Sequence, residues 1–252
     1  MVFTKQSSPA TERSILKMPE KRPKKKAPSK APPGQTPFNI DRFVDTLKAQ
    51  YRHWDAPVIT LIASHGGSPF EILVSTILSL RTKDEVTAKA ARRILARART
   101  PAEMRKLDPE TIEKLIYPVG FYPTKARQLR RISRILIEKY DSQVPDRMDA
   151  LLALPGVGRK TANLVLVEGF GQEAICVDTH VHRISNRIGY VDTPSPEKTE
   201  FALRDKLPRK HWVQYNELLV AFGQVICRPV SPWCSRCPVA EMCPRINVEK
   251  TR

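Results

Sequence analysis

Leu154-Pro155-Gly156-Val157-Gly158-Arg159-Lys160-Thr161-Ala162 reads as a helix, a hairpin and a second helix. A helix carrying Leu151, Leu152 and Leu154 must stop at Pro155-Gly156, since proline has no amide hydrogen and glycine opens left-handed backbone. Gly158 permits a second tight turn, and the chain re-enters a helix at Arg159. Such a turn leaves backbone N–H groups beside a helix N-terminus, an arrangement that suits phosphate. Lys160 then stands just inside the second helix. The positive end of the helix dipole and the neighbouring Arg159 both oppose a charge there, which favours a neutral, nucleophilic amine. A lysine at this place would also serve simply to touch a phosphate.

Eighteen residues on, Val177-Asp178-Thr179-His180-Val181 places Asp178 where it can cap a helix carrying His180 and Arg183. Further out, the pattern is helical almost throughout. Phe70, Leu73, Val74, Ile77 and Leu78 follow the spacing of one buried helix face, and Ala126, Leu129, Ile132, Ile135 and Leu136 make another. Thr82 with Glu85, and Thr100 with Glu103, have the spacing of capping boxes. Asp108-Pro109 and Ser195-Pro196 each offer a cap followed by proline at the first helical position. Short helices joined by short turns predict an all-α protein. His53, His65 and His211 have no pattern around them, and His182 is predicted to face away from the side of Asp178.

Among 252 residues, 43 are Lys or Arg against 26 Asp or Glu, a net charge of +17. Residues 1–36 hold nine Lys/Arg, two Glu and six prolines, a net +7, so the remaining chain is still basic at +10. A surplus of that size points to a polyanion, most simply nucleic acid. The run Lys21-Arg22-Pro23-Lys24-Lys25-Lys26, among few large apolar residues, predicts a disordered basic tail over residues 1–37. That tail would be a solvated extension, a non-specific DNA arm or a nuclear address. No apolar run approaches the roughly 18–20 residues of a membrane span, and no signal-peptide core opens the chain. The expected location is the cytoplasm and nucleoid of a bacterium or the nucleus of a eukaryote.

Four of the five cysteines, Cys227, Cys234, Cys237 and Cys243, fall within 17 residues, with gaps of six, two and five. Four thiolates complete a tetrahedral set around zinc or a [4Fe–4S] cluster, and spacing alone leaves both open. Cys176 stands apart.

The hairpin lysine, the downstream Val177-Asp178-Thr179-His180 and the four-cysteine loop, in that order, resemble the endonuclease III family of helix–hairpin–helix DNA glycosylases. The likeness runs from about residue 40 to 247. It implies two helical lobes: a six-helix barrel with the helix–hairpin–helix over residues 62–172, and a lobe of residues 38–61 and 173–247 carrying the cluster. It implies a [4Fe–4S] cluster on the four cysteines and a monomer acting on double-stranded DNA with damaged bases or abasic sites. The implied activity is that of a bifunctional DNA glycosylase/AP lyase, with Lys160 as the attacking amine and Asp178 as its assisting carboxylate. The implied DNA contacts are Arg81, Phe121, Leu154, Gly156, Val157, Gly158, Arg159, Thr161, His180 and Arg228. Arg81 and Phe121 fall where the family fills the gap left by an extruded base, although many relatives carry glutamine and an aliphatic residue there. Between the first two cysteines only Arg228 is basic. Monofunctional adenine and thymine-mismatch glycosylases share the fold but differ at the lysine, and 8-oxoguanine relatives usually lack the cysteine loop. A non-catalytic DNA-binding module is the reading from another class.

Overall fold

The computed structural model describes residues 38–252; the tail expected over residues 1–37 lies outside them. The described chain is helical, with no strand among those residues. Its helices are α1 (Ile40–Tyr51), α2 (Val58–Ser64), α3 (Pro69–Ser79), α4 (Asp84–Leu95), α5 (Pro101–Lys106), α6 (Pro109–Ile116), α7 (Tyr122–Lys139), α8 (Met148–Leu152), α9 (Arg159–Phe170), α10 (Thr179–Arg187), α11 (Pro196–Lys206) and α12 (Trp212–Val225).

Side chains set most of the boundaries. Thr100 and Glu103 form the expected capping box at the start of α5. Asp108 accepts from Thr111 N at 2.6 Å, Ser195 accepts from Lys198 N at 3.3 Å, and each is followed by proline at the first helical position. Ser68 and Glu71 add a capping box at α3 that sequence reasoning passed over. Each such cap is worth about 1 kcal/mol. Thr82 does otherwise than expected. α4 starts one residue later, after Lys83, with no side-chain cap, and the Thr82 hydroxyl accepts from Gly120 N at 3.1 Å. A bond across 38 residues has replaced a local one.

Two apolar cores result. The first runs from Val58 to Cys176 and is built around α3, where every residue from Phe70 to Leu78 is buried. α3 therefore lacks an exposed face and serves as the central helix, packed against α4, α7 and α9. The second core takes Phe43, Val44 and Leu47 from α1 and joins them to Val181, Ile184, Leu203, Tyr215 and Phe222. His211, without pattern in the sequence, is buried and bonds Asp41 of α1 through Nε2 at 2.6 Å.

Candidate active site

The hairpin is built as its sequence requires, with one difference. Gly156 sits at φ +70°, where a side chain would be strained, and an added Cβ would lie 2.5 Å from Gln128 Nε2. Gln128, on α7, closes the turn by donating Nε2 to Pro155 O at 2.8 Å. Gly158 is not left-handed: its φ is −97° and an added Cβ would meet nothing within 4 Å. Its use is open approach, not backbone freedom. No side chain caps the first turn of α9, so its amides stay available to an acceptor from outside.

Side chains around the hairpin divide into two sets. Leu154, Val157 and Thr161 are buried, which leaves backbone as their route to a ligand. Arg159 is turned back into the protein: its guanidinium meets Glu200 Oε2 at 3.0 Å and Oε1 at 2.5 Å and lies over the Phe201 ring at 4.8 Å. The Glu200 side chain is 3% exposed and also pairs with Arg204 at 3.0 Å. Arg159 therefore does not oppose a charge on Lys160 unscreened, as the sequence suggested. Lys160 itself is half-buried at the second position of α9, and the buried Cys176 thiol donates to its carbonyl at 3.6 Å.

Asp178 caps α10, its Oδ1 accepting from His180 N at 2.8 Å and Val181 N at 2.9 Å. Among the described residues no bond is made to Oδ2, so one carboxylate oxygen is left to act on something else. His180 reports what gathers here. Burial holds its imidazole below the ordinary histidine range, against the pull of Asp178, with Arg183 and Lys160 adding to the depression and Asp84 opposing it. Lys160 and Asp178 stand at the starts of α9 and α10. Arg183 Nη2 stands 3.1 Å from His180 Nδ1, which makes Nδ1 the acceptor and puts the proton on Nε2 of a neutral ring. Gly223 lies so close to both side chains that an added Cβ would fall inside van der Waals distance of His180 Nδ1 and 2.9 Å from Arg183 Nη2. His182 instead pairs with Thr199 at 2.7 Å, away from this group as expected.

Arg81 and Phe121 come together from loops 40 residues apart. The guanidinium lies 5.4 Å over the ring, Phe121 is 61% exposed, and both residues are left-handed at φ +54° and +59°. Such backbone costs a non-glycine residue about 1–2 kcal/mol. The buried Lys125 behind them, which sequence reasoning missed, donates Nζ to Leu78 O at 2.9 Å and Leu80 O at 2.5 Å. The nearest signal was its place one turn after Phe121 on an otherwise apolar face.

Cys227, Cys234, Cys237 and Cys243 are free thiols lining one cavity with Ile188, Phe222, Ile226 and Val239. Burial pushes the Cys237 thiol up to about 11 and raises Cys243 as well, the direction a bound cation reverses. Arg187 Nη1 stands 3.6 Å from Cys227 Sγ. No group of three or more His, Cys, Asp or Glu among the described residues converges to hold a single ion. Four thiols around one apolar cavity are a donor set that fits either a [4Fe–4S] cluster or zinc. Arg228, just past Cys227, is exposed and bonds Gln224 O at 3.1 Å.

Residues 74–209 match the family model of HhH-GPD superfamily base excision DNA repair proteins. An endonuclease III of Thermotoga maritima is 51% identical over 69% of this chain and 82% of its own. Two solved structures superpose over 82% of this chain. A non-covalent endonuclease III–DNA complex does so at 33% identity and TM-score 0.74, covering 94% of that chain. A trapped endonuclease III–DNA covalent intermediate does so at 31% and 0.69, covering 96%. The chain belongs to the HhH-GPD superfamily of base excision DNA repair proteins and, within it, to the endonuclease III DNA glycosylases.

Proposed function

We propose that the chain is a bifunctional DNA glycosylase/AP lyase that removes oxidised pyrimidines of the thymine glycol type from duplex DNA, acting as a monomer. Lys160 Nζ attacks C1′ of the damaged nucleotide, the C1′–N bond breaks and the base leaves with a proton. The sugar ring opens to an iminium between Nζ and C1′. Loss of a C2′ proton then expels the 3′ phosphate, and water hydrolyses the imine to return the amine. Asp178, through the oxygen its capping bonds leave over, stabilises the positive charge that develops on the sugar and helps move the proton. His180, neutral and held by Arg183, borders the extruded base. Arg81 and Phe121 fill the gap that the base leaves, the ring between base steps and the guanidinium toward the orphaned partner. The four cysteines hold a [4Fe–4S] cluster that supplies a structural cross-link to the C-terminal loop.

The observation that carries this reading is the pair of helix starts: α9, uncapped by any side chain, carries Lys160 in its first turn, and α10 is capped through Asp178 Oδ1 alone, which leaves Oδ2 over. Borohydride trapping on an abasic duplex is the test. Wild type should give a covalent adduct, and Lys160→Ala should give none while still binding the duplex; an adduct of undiminished yield from Lys160→Ala refutes the assignment. For the cluster, protein purified without oxygen should contain iron and sulfide and absorb broadly near about 400 nm. Stoichiometric zinc without iron would refute it.

A further inference from the structure

Lys125 is the one buried lysine among the described residues, at 5% exposure. Its Nζ reaches Leu78 O at 2.9 Å, Leu80 O at 2.5 Å and Thr82 Oγ1 at 3.4 Å. Three donors of one ammonium meet three oxygens, one in the last turn of α3 and two on the segment after it that carries Arg81. The same residue's backbone N donates to Phe121 O at 3.0 Å, one turn into the helix that Phe121 opens. Thr82 closes the loop, its hydroxyl taking Gly120 N at 3.1 Å. Main chain and side chain of a single residue therefore tie the Arg81 loop to the Phe121 turn. Burial alone, with no carboxylate beside it, brings this lysine down to about 8. An apolar side chain would fill the volume without that cost, so the charge is placed for what it grips.

We propose that Lys125 is a positioning residue whose ammonium clamps the Arg81 loop to the Phe121 turn, so that the two side chains enter the duplex as one rigid wedge. This rests on the reading of Arg81 and Phe121 as the gap-filling pair. Without the clamp the two left-handed turns relax independently. DNA still binds along the hairpin, but the orphaned base is not held.

Lys125→Met, which keeps length and removes the three donors, is compared with wild type in two assays. In the first, 2-aminopurine stands opposite a tetrahydrofuran abasic analogue, and its fluorescence change is read at saturating protein. Wild type should change the signal; Lys125→Met should lose at least half of that change. In the second, the rate of borohydride trapping on an abasic duplex is divided by the rate on the same abasic site in a single strand, which has no gap to fill. That ratio should fall at least tenfold in Lys125→Met. A merely structural loss would slow both substrates alike, and an unchanged ratio together with a full fluorescence change overturns the proposal. A wild-type signal that does not change on binding overturns the gap-filling reading and the clamp with it. Absence of any trapped adduct in wild type strikes the proposed chemistry instead, and the fluorescence comparison then decides Lys125. Should Lys125→Met fail to fold, Thr82→Val, which removes the oxygen shared by Lys125 and Gly120, must give the same directions or the clamp is refuted.

Discussion

The hairpin at residues 154–160 and the paired loops around Arg81 and Phe121 are both tight turns ahead of helix starts, yet they are held in opposite ways. The hairpin is local. Proline ends one helix, Gly156 turns the chain, α9 begins, and Gln128 closes the turn with one bond to Pro155 O. The loop pair is assembled from segments about 40 residues apart, with two non-glycine residues in left-handed backbone and a buried ammonium between them. A turn that must only present amides can be written in consecutive residues. One that must present two side chains at a fixed spacing needs a brace from elsewhere in the fold.

Gly120→Ala should break this comparison hardest. The added Cβ would lie 2.6 Å from the backbone oxygen of Arg81, with no flexible side chain there to yield. Urea unfolding should show a loss of about 2–3 kcal/mol, in the range of overpacked cores, together with loss of the 2-aminopurine response. Gly156→Ala should cost less, about 1–2 kcal/mol for left-handed backbone, because its clash is with the movable end of Gln128. Adding Gln128→Ala should then recover part of that stability, and a double-mutant cycle with no coupling would show that the glutamine does not press on the turn. The smallest effect is a slope. Lys125 titrates near 8 in the folded chain through burial and at the ordinary lysine value when unfolded. Between those values the unfolded chain binds more protons, so this group makes stability rise with pH. Loop order should move the other way, as the ammonium loses the proton that completes its three bonds. Hydrogen exchange at Gly120 that quickens with pH beyond the chemical rate, while the Lys125 contribution to unfolding, read as wild type minus Lys125→Met, does not fall, would sharpen the contrast.

What was legible in the sequence was whatever a few consecutive residues determine. Asp178 caps α10, Asp108 and Ser195 cap α6 and α11, and Thr100 with Glu103 boxes α5, because each bond spans two or three residues. Thr82 was misread for the complementary reason. Its spacing to Glu85 satisfies the local rule, but Gly120 offered a donor that only the folded chain brings near. The same distance hid the Lys125 clamp, the turn of Arg159 onto Glu200 41 residues away, and the pairing of His211 with Asp41 across 170 residues. These are ionic or polar bonds between elements. Their partners leave no periodic trace, since one charge on an amphipathic face looks the same whether it meets solvent or a carboxylate.

The place of α1 has a consequence for how the protein is made. Its Phe43, Val44 and Leu47 belong to the second core, whose other members begin at Ile175 and continue to Val239. The residues of the first core, Val58 to Cys176, leave the ribosome in between. At about 5–20 residues per second, the roughly 160 residues separating the end of α1 from α12 take about 10–30 s to synthesise. For that interval an early helix carries an apolar stripe whose partners in the second core are still to be made. The order of the helices therefore sets a wait between α1 and α12, and that wait would vanish if α1 were moved to follow α12.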